Sequence, residues 1–161
     1  LIVSWDTIRR KCTEVGVSCE FLDTHYSILD SSTGFLLALT NNEYRALVSR
    51  SRELRARLGV GGEFDCDDYA RIYQALSLAY GFTVGLATGI MEGENFRMGH
   101  AYNVLAWGVG ENRVELFLIE PQNVINSLPF IYHMPTNVVD GVLFMRVGVQ
   151  KYKYTTLHIV W

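Results

Sequence analysis

The stretch Glu63-Phe64-Asp65-Cys66-Asp67-Asp68-Tyr69-Ala70 places a cysteine where a glycine-containing loop (Gly59, Gly61, Gly62) gives way to a helix. Tyr69, Ile72, Tyr73, Leu76 and Ala79-Tyr80 fall on one face at helical spacing, which is the mark of that helix. A thiol on a first turn sees unpaired backbone N–H groups and the positive end of the helix dipole. Both favour the thiolate, the reactive form. The carboxylates of Glu63, Asp65, Asp67 and Asp68 push the other way. A reactive Cys66 therefore needs a positive partner from elsewhere in the chain.

On the N-terminal side of this stretch the chain reads as helical. Ser4 is placed to cap a helix through about Val15, closed by Gly16. Residues 17–32 read as irregular. Thr40-Asn41-Asn42-Glu43 has the capping-box pattern and predicts a helix from there to Leu58, ended by Gly59. The Cys66 helix is expected to run to about Tyr80 and stop at Gly81.

On the C-terminal side the pattern turns to strands, over residues 82–90, 100–107, 113–120, 142–149 and 155–161. Residues 91–99 and 121–135 read as loop. Helices followed by strands predict an α+β fold, with N-terminal helices and the Cys66 helix packed on an antiparallel sheet. The expectation is a single domain over residues 1–161.

Composition agrees with a folded domain. Of 161 residues, 49% are hydrophobic, enough for a real core. The formal net charge is −3, which gives no bulk reason to bind nucleic acid. The densest positive stretch, five of the 14 Lys and Arg residues, lies between Arg45 and Arg57 at helical spacing; it reads as a solvated helix face, with an anionic partner as the other reading. No apolar run approaches the length of about eighteen residues that a membrane span needs. No basic region precedes Leu1-Ile2-Val3, so a signal peptide is not expected; the chain begins without Met, and its compartment stays open. Of three cysteines, Cys12 and Cys19 either pair or all three stay reduced. No Cys/His spacing suits zinc.

The strand pair supplies partners for Cys66. A turn over residues 108–112 pairs Trp107 with Arg113 and sets His100 opposite Glu120. Alternation then puts His100, Tyr102, Val104, Val114, Leu116, Leu118 and Glu120 on one face. If the Cys66 helix packs on that face, thiol, imidazole and carboxylate meet in the order that nucleophilic catalysis requires. The backbone N–H of Cys66 would help hold an oxyanion. The plain alternatives are a structural cysteine, a satisfied histidine and a strand-end glutamate.

Three ordered blocks, Phe64-Asp65-Cys66-Asp67-Asp68-Tyr69-Ala70, Gly99-His100-Ala101-Tyr102-Asn103 and Leu118-Ile119-Glu120-Pro121-Gln122-Asn123, resemble one cysteine-peptidase group. It is the papain-like protease domain at the C-terminus of the fungal Marasmius agglutinin lectin, with its bacterial and viral relatives. More distantly, the Cys-x-Asp-Tyr-Ala and His-Ala blocks resemble bacterial transglutaminase-like cysteine peptidases. The resemblance implies a nucleophile at Cys66, a base at His100 and an orienting acid at Glu120. Gln122, Asn103 and Asp68 would support the site, and Trp5 and Tyr26 are candidates to line it, with core packing as the alternative for both. It also suggests calcium, through Glu63 and Asp65, which stand three and one positions before the nucleophile. Hard carboxylates suit Ca²⁺, yet two fall short of the roughly six to eight ligands it takes, and helix-start complement is the competing reading. Calcium would be a dependence and not a part of the chemistry.

There are departures from the pattern. These 161 residues include no lectin domain, and among them no Gln precedes Cys66 where papain-type enzymes place an oxyanion-hole donor. The leading expectation is a thiol hydrolase cleaving amide bonds in a protein or peptide substrate through an acyl-thioester. Transfer of the acyl group to an amine, as in a transglutaminase or amidase, uses the same residues. A binding or structural module that keeps the fold without turnover is the third reading.

Overall fold

The computed structural model describes residues 3–22, 33–82, 84–128, 130–134, 141–147 and 149–161. In chain order the elements are α1 (Trp5–Glu14), β1 (Ser18–Glu20), α2 (Thr33–Leu58), α3 (Cys66–Ala79), β2 (Val84–Glu92), β3 (Arg97–Gly110), β4 (Arg113–Ile119), α4 (Pro121–Ile125), β5 (Ile131–Met134), β6 (Val142–Val147) and β7 (Gln150–Val160). Four helices and a seven-stranded sheet among the described residues make this an α+β fold.

Ser4 caps α1 as expected, its hydroxyl accepting the Thr7 N–H at 3.3 Å. The Thr40–Glu43 pattern does not start a helix: α2 begins at Thr33 and runs through it. The apolar, helix-favouring residues Phe35-Leu36-Leu37-Ala38-Leu39 continue the helix upstream, so the pattern lies in mid-helix. Two further elements occupy stretches that read as loop, α4 and β5, and β1 lies in the stretch read as irregular after α1.

The strands run in the order β1-β7-β2-β3-β4-β5, with β6 on β7. Pairing is antiparallel except for β1, which adds to β7 in parallel (Ser18 opposite His158), so the sheet is mixed and not purely antiparallel. The β3–β4 register differs from expectation by two residues. Trp107 faces Glu115, and Arg113 faces Gly110. The turn is tighter than five residues: Glu111-Asn112 close it, Asn112 taking a positive φ of 56°, and an irregularity between Gly108 and Gly110 absorbs the difference. A slip of two preserves the alternation, so each residue keeps its face.

Those faces carry different helices. Tyr102, Val104, Val114, Leu116 and Leu118 form a core with Ile8 and Cys12 from α1 and with Val15, which caps its C-terminus. On the other face, Leu105 and Ile119 pack with Tyr69, Tyr73 and Leu76 of α3 and with Tyr44 and Val48 of α2. The Cys66 helix thus packs on the sheet, but on the side opposite to the His100 face. The apolar alternation of β3 had no way to tell these apart, because both faces of the strand are buried.

Candidate active site where β4 leaves the sheet

Cys66 is the first residue of α3. Asp65 before it is the N-cap, in extended conformation, and Asp68 reaches back to accept the Asp65 N–H at 3.3 Å. Arg55 of α2 holds the same Asp68 oxygen at 2.6 Å, which ties the Cys66 turn to its neighbouring helix. The half-buried Cys66 sulfur accepts the backbone N–H of Ala101 at 3.4 Å.

The end of β4 accounts for that contact. Pairing between β3 and β4 stops at Asn103 opposite Ile119. Pro121 then starts α4, where its missing N–H costs nothing, and the chain leaves the sheet. Ala101 lies two residues beyond the last pair, and its N–H goes to the thiol in place of a strand.

Burial pushes the Cys66 thiol above its ordinary range, the Ala101 N–H pulls it back, and the charges of Asp65 and Asp67 raise it further. The net direction is up, so the helix-start effect does not win. The shift runs against the thiolate that the sequence position suggests.

His100 is buried and its Nε2 lies 2.5 Å from Oε2 of Glu120, which is only 2% exposed. Glu120 follows β4 directly and serves as N-cap of α4, its Oε1 accepting the Gln122 N–H at 3.3 Å. The carboxylate therefore fixes one ring nitrogen and leaves Nδ1 as the other. His100 and Glu120 come together even though the register sets neither opposite the other, because Glu120 has already left the ladder. Among the described residues no hydrogen bond joins the Cys66 thiol to the His100 ring; the two are linked through the Ala101 peptide.

The supporting residues divide. Asn103 is fully buried, and its Nδ2 donates to the carbonyls of Ala70 in α3 (3.0 Å) and Gly85 in β2 (3.3 Å), so it fastens α3 to the sheet. Gln122 braces Glu120 through its backbone. Its side chain lines a cavity of about 130 Å³ with Glu120, Met91, Leu128, Tyr152 and Tyr154. Trp5 packs on Phe21 at 4.2 Å between ring centroids, against the α1-side core, and Tyr26 lies outside the described residues.

Of the proposed calcium pair, Asp65 joins Asp67 and Asp68 in a group whose carboxylate oxygens lie within 4.8 Å of one another, while the exposed Glu63 is not part of it. Three hard oxygens suit a divalent cation in kind. Asp68 already holds Arg55 and Asp67 holds Arg71 at 3.3 Å, and three carboxylates are half of a calcium shell. The carboxyls of Asp65 and Asp67 lie close enough to share one proton, which holds Asp65 low and Asp67 high.

Tyr154 is a site residue that sequence reasoning missed. Its hydroxyl donates to Glu120 Oε2 at 3.0 Å, and its ring packs edge-on against His100 at 5.7 Å. The lysine- and tyrosine-rich stretch around it reads as a turn, whereas β7 begins at Gln150. Alternation of Tyr152, Tyr154 and Thr156 is the signal that would have placed it. No protein-family model, curated protein or solved structure matches the chain.

Proposed function

We propose that the protein is a thiol hydrolase, a cysteine peptidase of papain-like or transglutaminase-like architecture, with Cys66 as nucleophile, His100 as base and Glu120 as the acid that orients it. The observation that carries this reading is the shared gap beyond Ile119. There the Ala101 N–H holds the Cys66 sulfur at 3.4 Å, one residue from an imidazole clamped by a buried carboxylate at 2.5 Å. A cysteine, histidine and glutamate drawn together from a helix, a strand and a helix cap have no common structural purpose.

In this reading Glu120 accepts the Nε2–H, so Nδ1 is the basic nitrogen. Because the thiol sits above its ordinary range, its proton leaves as the sulfur attacks and not beforehand. The sulfur bonds to the amide carbon, and the carbonyl oxygen becomes an oxyanion that the Cys66 N–H at the start of α3 would help hold. The carbon–nitrogen bond then breaks as the imidazolium returns the proton to the departing amine. Water, deprotonated by the same imidazole, attacks the thioester and releases the acid and the free thiol. A peptide or unfolded protein is the substrate; Ca²⁺ at Asp65 with its neighbours would order the loop before Cys66 and take no part in these steps.

One observation favours a non-catalytic module: the thiol is partnered by a backbone N–H and not by the imidazole. Incubation with an unfolded protein substrate, with and without calcium, separates the two. Hydrolysis by the native protein that falls at least about a thousandfold in Cys66→Ala is expected. No hydrolysis in either condition, or equal hydrolysis by the variant, would overturn the proposal. A labelled primary amine in the same reaction tests acyl transfer, since its incorporation in place of hydrolysis assigns the thioester to an amine acceptor.

A further inference from the structure

We propose that Tyr154 is a positioning residue that tunes the proton affinity of His100 through Glu120, a role that rests on the catalytic reading of that pair. Oε2 of Glu120 receives two donors, His100 Nε2 at 2.5 Å and the Tyr154 hydroxyl at 3.0 Å. The hydroxyl comes from β7, two strands away from β3 in the sheet order. Three aromatic rings fill the space between. Tyr102 lies 5.8 Å from the His100 ring and 5.5 Å from that of Tyr154. The Tyr102 hydroxyl bonds Thr156 at 2.6 Å, so it packs on the histidine without reaching the carboxylate. Tyr154 packs on the histidine and also reaches it.

A carboxylate oxygen shared between two donors divides its negative charge between them. Without the phenol, more of that charge faces Nε2 and the carboxylate becomes more basic, so the imidazolium gains stability. The titratable groups facing the pair are Tyr102 from β3, Tyr132 from β5, Tyr154 from β7, Tyr44 from α2 and Cys66 from α3. Burial pushes all four phenols up, so they are uncharged donors near neutral pH. The thiol is likewise uncharged there. The charge that His100 meets is that of Glu120, and Tyr154 governs how much of it His100 receives. For the reaction, a more basic His100 stays protonated to higher pH and cannot take the thiol proton there.

The test reads the histidine itself, in a chain that cannot turn over. His100 is titrated by NMR of its ring protons in Cys66→Ala and in Cys66→Ala with Tyr154→Phe. The expected result is a midpoint raised by about half to one pH unit in the Phe variant. Tyr102→Phe, which keeps its ring and loses a hydroxyl bonded elsewhere, is expected to leave the midpoint in place. In a Glu120→Gln background Tyr154→Phe is expected to add nothing. An unchanged or lowered midpoint in a folded Tyr154→Phe chain, an equal rise in Tyr102→Phe, or a rise that survives Glu120→Gln would each overturn the proposal. If Tyr154→Phe does not fold, uniform fluorotyrosine labelling strengthens the phenol donor in place and should lower the midpoint; no movement overturns the idea. None of these readings depends on hydrolysis, whose failure is seen separately in the Cys66→Ala comparison.

Discussion

The Ala101 N–H donates to the Cys66 sulfur at 3.4 Å, and this bond joins the helix that carries the thiol to the strand that carries His100. The two side chains approach from opposite faces of the sheet. They can share a site only because the sheet has a gap there: β4 stops pairing at Ile119, and the peptide between His100 and Ala101 is left without a neighbouring strand on that side. The position of α3 against β3 is therefore what the site depends on.

Asn103 holds that position, which gives a first prediction. Its amide donates to Ala70 O and Gly85 O in a fully buried setting. Asn103→Ala leaves both carbonyls short of a donor and is expected to lower stability by about 2–3 kcal/mol. Asn103→Asp should cost more at neutral pH, since a buried carboxylate would then face two carbonyl oxygens. Urea denaturation with an unchanged m-value checks both; a loss below about 0.5 kcal/mol for the alanine variant would sink the assignment.

Asp68 makes a second prediction possible, because it serves two partners. It bonds Arg55 at 2.6 Å and the Asp65 N–H at 3.3 Å. Arg55→Ala removes a half-exposed ion pair and should cost no more than about 1 kcal/mol. Asp68→Ala removes that pair and a helix-start bond together, and should cost about 1–2 kcal/mol. The excess should persist in high salt, since screening weakens the pair and leaves the cap. Equal losses for the two variants would show that the cap bond contributes nothing.

Some of this arrangement was legible in the sequence and some was not. The Ser4 cap, the start of α3 at Cys66 and the alternation of β3 were readable, because each is set by local chemistry. The β3–β4 register was misread because Asn112 tolerates a left-handed backbone and closes a shorter turn than Gly108 and Gly110 suggest. His100 and Glu120 do meet, but not through the expected register: Glu120 has left the ladder at the cap of α4 and reaches the ring from there. The assignment of α3 to the His100 face failed for a different reason. Tyr102 and Val104 on one side of β3 and Leu105 on the other are all buried, and an apolar residue does not declare which helix covers it. The alternation of Tyr152, Tyr154 and Thr156 could have put Tyr154 on a strand, but not beside Glu120, because that partner is 34 residues away and three strands across.

Gly89 gives a third prediction, on packing behind the histidine. It lies opposite His100 on β2, at the irregularity in the β2–β7 register. A Cβ there would stand 2.7 Å from the Tyr102 hydroxyl and closer still to the Thr155 carbonyl oxygen. The second contact is backbone and cannot swing away. Gly89→Ala is expected to cost about 1–3 kcal/mol and to disturb the Tyr102 ring that packs on His100. Thermal unfolding and the His100 ring resonances check the two halves; an unaltered melting temperature would mean that β7 yields without cost.

The last prediction concerns the thiol and the sign of its shift. Asp65 and Asp67 raise the Cys66 thiol electrostatically, on top of burial. At the pH where a raised thiol titrates, both carboxylates are ionised, so each adds a negative charge that opposes formation of the thiolate. Asp65→Asn removes one such charge and keeps the N-cap, because Asn serves that position as well as Asp. The thiolate is then easier to form, and the midpoint of Cys66 alkylation by iodoacetamide should move down in pH by a few tenths of a unit at low ionic strength. Asp65 is exposed, so the difference from the native protein should shrink as salt is raised to about 0.5 M. Asp67→Asn should move the midpoint the same way, while losing its pair with Arg71. Mass mapping of the labelled peptide keeps the reading on Cys66, and Cys12, buried in the α1-side core, gives the unreactive reference. A midpoint that stays in place or rises in Asp65→Asn at low salt would show that the acidic turn does not control the thiol, leaving burial alone to hold it protonated.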